Sequence, residues 1–162
     1  MTDLRTVFGA VGAENVVTHL QSGNVVFESS SGTRDLAPAL ERAIERRLRL
    51  QVSVLLRTPA ELAKVVGSNP YPREPDGRKV HVAFLDGSPA RSRLGTLDRE
   101  RVAPDEFRVA GRHVYLHYPS GYGRSKLTND YLERQLGVRS TVRNWTTVTA
   151  LAELARAKPR SR

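Results

Sequence analysis

Cysteine is absent from the 162 residues, which excludes disulfides, thiolate metal sites and cysteine nucleophiles. Tryptophan and methionine occur once each, and aromatic residues make up 6% of the chain. No apolar run approaches the roughly 20 residues that span a bilayer. The N-terminus, Met1-Thr-Asp-Leu-Arg-Thr-Val-Phe8, lacks the apolar core of a secretory signal, so a cytoplasmic protein is expected. Nothing has the spacing of a catalytic triad or a carboxylate pair: Asp98, Glu100, Asp105 and Glu106 read as solvated charges. No catalytic residue is assigned, an enzyme is neither asserted nor denied, and no cofactor is implied.

Positive charge is abundant. The chain carries 26 Lys+Arg against 17 Asp+Glu, a net +9. From Met1 to Glu106 there are 15 basic and 14 acidic residues; from Phe107 to Arg162 there are 11 and 3. Such an excess attracts phosphate or nucleic acid. Arginine outnumbers lysine 22 to 4, as a GC-rich coding bias would give, and Lys158-Pro-Arg-Ser-Arg162 reads as a solvated tail.

Leu4, Val7, Phe8 and Val11 recur at helical spacing, predicting a helix over residues 2–12. Val16 to Ser22 and Asn24 to Glu28 form a hairpin around Gly23-Asn24. Leu36, Leu40, Ala43, Ile44 and Leu48 place an apolar stripe on a helix over 35–48, and Gln51 to Leu56 reads as a strand. Thr58-Pro59 has the form of an N-cap with proline at the first helical position. Three prolines between Asn69 and Gly77 predict an irregular loop. A strand over 79–85, a helix over 89–101, a hairpin of 106–109 with 113–118, and a helix over 125–136 closed by Gly137 follow. Thr141 to Trp145 leads into a last helix.

The two hairpins, Leu20 to Phe27 and Arg108 to Tyr115, each pivot on a glycine and have a helix on either side. The second half reads β-α-β-β-α, the ferredoxin-like order; the first half reads α-β-β-α-β, the same order without its first strand. The expected fold is α+β, two ferredoxin-like units in tandem. Their bounds are 1–57 (incomplete), 58–78 as linker helix and Pro-rich loop, and 79–155, with a basic tail at 156–162. Without that first strand, Val52 to Leu56 has no neighbour, and a bare interior edge is costly. The reading frame is therefore expected to start upstream of Met1; the alternative is that another segment or subunit fills the gap.

The best candidate site is Pro119-Ser-Gly-Tyr-Gly-Arg-Ser-Lys-Leu-Thr128. A glycine loop opening onto a helix presents unpaired N–H groups and the positive end of the dipole, an anion site. Gly121 and Gly123 shape the loop, Ser125 and Thr128 offer hydroxyls, and Arg124 and Lys126 add cations. It is not a P-loop, which needs Gly-Lys adjacent and then Ser or Thr; here Ser125 separates Arg124 from Lys126. The structural alternative is a glycine turn followed by a Ser125 or Thr128 cap. Arg143-Asn144-Trp145 is the second constellation: Trp145 could stack on a planar ligand whose polar edges Arg143 and Asn144 fix. Alternatively, Trp145 is a core anchor with Asn144 or Thr146 as the helix cap.

His113 and His117 share a strand face with Tyr115 but stand about 13 Å apart, too far to hold one metal ion; no metal site is expected. That face could instead be an open platform on which bases stack on Tyr115, with Arg108 or Arg112 on phosphates. The function expected is binding of an anionic or phosphorylated small ligand at the 121–128 loop. An enzyme using that loop and a weak nucleic-acid-binding module are the alternatives; no membrane partner is expected and oligomeric state is open.

Four ordered motifs carry a family resemblance: Leu20-Gln-Ser-Gly-Asn-Val-Val-Phe27, Phe107 to Pro119, Gly123-Arg-Ser-Lys-Leu-Thr-Asn129 and Arg143-Asn-Trp-Thr-Thr-Val-Thr149. Together they resemble the bacterial domain-of-unknown-function 1697 family over Thr2 to Ala155. The resemblance implies an α+β fold of ferredoxin-like character and no particular reaction. Its members usually begin with a further strand and a glycine loop bearing an arginine. On that footing half of any anion site lies outside the sequence given.

Overall fold

The computed structural model describes residues 2–19 and 23–157; residues 20–22 of the first hairpin motif and the tail at 158–162 lie outside them. Among the described residues the architecture is mixed α/β, with two antiparallel sheets and seven α-helices. Two compact units divide the chain. One holds the residues up to Ala63 and those from Ala150 onward, and the other spans Lys64–Thr149.

In the first unit, α1 (Thr2–Ala10), β1 (Glu14–His19), β2 (Asn24–Glu28) and α2 (Thr33–Leu48) follow the order expected. Val7 and Phe8 of α1 meet Leu36, Leu40, Ala43 and Ile44 of α2, with Val16, Val25 and Phe27 of the strands packed on them. Phe8 and Phe27 meet edge to face at 5.1 Å. Burying a side chain of this size contributes about 1.5–3 kcal/mol, so this seam holds the unit together. The strand expected over 51–56 is corrected: these residues belong to neither sheet. Val54 and Leu56 still pack on the core, but the Val54 amide donates to Glu41 Oε1 at 2.9 Å instead of to a ladder. A strand requires a hydrogen-bonded neighbour, and among the described residues the sheet of this unit consists of β1 and β2.

The helix α3 (Pro59–Gly67) opens with a reciprocal cap. Glu61 N–H donates to Thr58 Oγ1 (3.2 Å) and Thr58 N–H to Glu61 Oε2 (2.7 Å).

The second unit is built on β3 (Val80–Leu85), β4 (Glu106–Ala110), β5 (His113–His117) and β6 (Ser140–Asn144), in the order β4-β5-β3-β6 and all antiparallel. Gly111, at φ +58, takes the first central position of the two-residue β4–β5 turn. One sheet face carries Ala83, Leu85, Val114, Leu116 and Phe107 against Tyr131, Leu132 and Leu136 of α6 (Asn129–Leu136). The opposite face carries Val80, Val82, Phe84 and Tyr115, also buried.

Two helix boundaries differ from expectation. The helix predicted over 89–101 is two short ones, α4 (Arg91–Leu94) and α5 (Arg99–Val102). Gly95 ends the first, and the Asp98 carboxylate caps the second by accepting from the Glu100 and Arg101 amides. The helix expected from Ser125 begins at Asn129, with Thr128 as its cap. The last helix, α7 (Trp145–Ala157), follows β6 directly.

Candidate functional site

The 119–128 loop leaves β5 through Tyr118, whose amide donates to Lys79 O at 2.8 Å and whose hydroxyl donates to Leu127 O at 2.8 Å. These two bonds tie both ends of the loop to the fold. Tyr118 is fully buried, and burial pushes its phenol well above the ordinary value. Gly121 adopts φ +87, a conformation side-chain-bearing residues resist, and its N–H closes a turn onto Tyr118 O. Tyr122–Arg124 forms a single 3-10 turn.

Ser125 and Thr128 are both engaged inside the protein. Ser125 Oγ donates to Asp105 Oδ2 at 2.5 Å and accepts from Leu127 N–H at 2.8 Å. Thr128 Oγ1 accepts from Tyr131 N–H at 3.2 Å. The α6 N-terminus is thus closed by its own cap, as in the structural alternative. The cations differ. Arg124 and Lys126 are exposed, and neither has an ion-pair or hydrogen-bond partner among the described residues. Gly123 is exposed, with open space where a side chain would sit.

The second constellation splits across the sheet. Strand alternation puts Asn144 on the same face as His81, its partner in the β3–β6 register, and puts Arg143 on the other. Asn144 Oδ1 accepts from Thr147 N–H at 2.8 Å, which makes it the α7 cap. Arg143 lies along its own strand, bonded to Thr141 Oγ1 (2.5 Å) and Val142 O (2.9 Å), and burial lowers its pKa. Trp145 is half-buried, its amide bonded to Gly77 O. Asn144 therefore lies on the loop's side of the sheet, whereas Arg143 does not.

His81 joins the loop to the sheet. Its ring stacks on Tyr122 at 5.5 Å and meets Tyr118 edge-on at 5.0 Å. Tyr122 keeps 43% of its surface exposed, so the stack leaves part of the ring open. No motif marks His81; the β3–β5 register, which pairs it with Leu116, brings it under the loop.

The open base-stacking platform is corrected. Tyr115 is 2% exposed, and its hydroxyl donates to Val65 O at 2.7 Å. The same face also holds a contact that sequence reasoning missed, His117 with Glu74 of the Pro-rich loop at 2.9 Å. Among the described residues, no group of three His, Asp or Glu side chains is close enough to hold a metal ion. No helix there is long and apolar enough to cross a membrane.

Comparison with known proteins places this geometry in context. A family model described as "Protein of unknown function (DUF1697)" matches residues 1–115. A conserved bacterial protein of Streptococcus pneumoniae has a similar solved structure. The TM-score is 0.75 at 17% identity, over 96% of this chain and 88% of that one. At that identity the likeness is one of fold. No curated protein matches significantly.

Proposed function

We propose, for a chain that belongs to the DUF1697 family of proteins of unknown function, that the 121–128 loop binds a small anionic or phosphorylated ligand. One observation carries this reading: Arg124 and Lys126 project from a tethered turn, exposed and without ion-pair or hydrogen-bond partners among the described residues. The loop is held by Tyr118, Ser125 and Leu127, so its cations are presented with little ordering left to do. Tyr122, seated on His81, offers an aromatic surface beside them. Ser125, Thr128 and Asn144 hold the loop and helix ends in shape instead of touching the ligand. The helix end contributes through its field, since its first-turn amide is already capped. Strand order and connectivity also support reading Lys64–Thr149 as ferredoxin-like, with the first unit as a partial counterpart.

Calorimetric titration with inorganic phosphate and pyrophosphate tests the site. Arg124→Ala with Lys126→Ala should weaken binding at least tenfold while leaving the unfolding midpoint unchanged. Unaltered affinity for both anions would discard the reading.

A further inference from the structure

Residues 69–77, Asn-Pro-Tyr-Pro-Arg-Glu-Pro-Asp-Gly, run from α3 to β3 without helix or strand. The segment shapes itself: Tyr71 N–H donates to Asn69 Oδ1 (2.9 Å), Glu74 N–H to Tyr71 O (3.2 Å) and Asp76 N–H to Glu74 Oε1 (3.1 Å). Three prolines stiffen it further. Two of its side chains meet the sheet at one residue. The Tyr71 ring stacks on His117 at 5.1 Å and 27°, and Glu74 Oε2 lies 2.9 Å from His117 Nε2. The His117 and Glu74 side chains are only 17% and 16% exposed.

We propose that residues 69–77 form a strap that opens as a unit from the His117 end of the sheet, with His117 as its latch. A single imidazole holds both the ring and the carboxylate, so releasing it frees both contacts together. The bonds within the strap are local and lose their support once the latch releases, so the segment loosens together. Opening uncovers the His117 imidazole, which the closed strap shields from solvent and ligand. The foot of the strap stays attached where Trp145 N–H donates to Gly77 O at 3.2 Å.

The surrounding charges set how the latch responds to acid. His117 faces Glu74 and Tyr71 from the strap, Glu106 across on β4 and Val80 on β3. Lys79 acts on Glu74, and Glu106, Arg108 and Arg99 act on Tyr71. Burial pushes the Tyr71 phenol up to about 12, so it remains a neutral ring. The hydrogen bond from His117, then that from the Asp76 amide, holds the Glu74 carboxyl below the usual carboxylate value. A depressed carboxylate supplies its stabilisation above its free value, about 4.3, and loses it as pH falls through the bound value. The latch should therefore hold through neutral pH and fail in acid.

Arg73 supplies a reporter, since it is exposed in the middle of the strap and trypsin should cut after it faster when the backbone around it loosens. In the full chain at neutral pH, His117→Ala should raise the cleavage rate at Arg73 at least tenfold. His117→Phe, which keeps the stack, and His117→Gln, which keeps a hydrogen-bond donor, should fall between. Hydrogen exchange should show the Tyr71, Glu74 and Asp76 amides losing protection together as pH drops below about 4.3, before the β3–β5 amides do. Should His117→Ala fail to fold, Glu74→Gln read by the same cleavage decides the matter. Wild-type cleavage rates in the variants, or loss of protection at the same amides only with global unfolding, would overturn the strap.

Discussion

His81 shows how one side chain ties stability to the loop. Its Nδ1 is buried without a hydrogen-bond partner, while its ring sits against Tyr118 and Tyr122. Burial lowers its pKa, so the folded chain keeps the ring neutral. An unfolded chain protonates the same group near pH 6.5. Between the unfolded and folded values the unfolded state binds more protons, so stability falls as pH drops through that window. Denaturant titrations from pH 7.5 to 5 should show this acid loss, and His81→Phe should flatten it while preserving the stack. An unchanged pH slope in the variant would mean that His81 is not the group responsible. The residue was illegible as a functional candidate because its neighbours come from 37 and 41 positions along the chain.

The start of α6 is decided by a tertiary contact. Ser125 and Thr128 are both good caps by residue type, but the Ser125 hydroxyl is drawn to Asp105, 20 residues earlier. Thr128 is left to satisfy the helix. Thr128→Ala should therefore cost about 1 kcal/mol of stability, measured by denaturant unfolding, and leave phosphate affinity unchanged. A parallel loss of affinity would return the helix end to the site. The same logic separates what could be read from what could not. The β2, β4–β5 and α2 segments carry local periodicity and glycine turns, and they form as expected. Residues 51–56 carry the right apolar residues, but pairing depends on a neighbour that periodicity does not reveal. In the candidate loop, the exposed cations were legible; the self-capped hydroxyls and the split between Arg143 and Asn144 followed from tertiary contacts and register.

At the scale of the whole molecule, some of the arginines behind the net +9 have structural partners among the described residues. Arg78 pairs with Asp76 and Arg139 with Asp86. Arg101 lies over the Tyr131 ring, and Arg99 over Phe107 at 4.4 Å. Arg99 and Arg143 also guard the open edges of the four-stranded sheet. The two-residue β4–β5 turn aims the Phe107 carbonyl away from β5, and Arg99 donates to it at 3.2 Å. On the opposite edge, Arg143 donates to Val142 O and Asn129 to Ser140 O. Unpaired edge carbonyls invite strand addition, and covering them with charge prevents it. This division of labour gives those arginines structural roles beside their charge. It also predicts a specific failure. Arg99→Met keeps the aliphatic stem over Phe107 but removes the donor, leaving the β4 edge bare. The variant should unfold at nearly the wild-type midpoint yet self-associate with rising concentration, as followed by light scattering. Arg99→Lys, which restores a cation, should suppress that association. If Arg99→Met scatters like the wild type across the whole concentration range, Arg99 is not what keeps this edge from pairing.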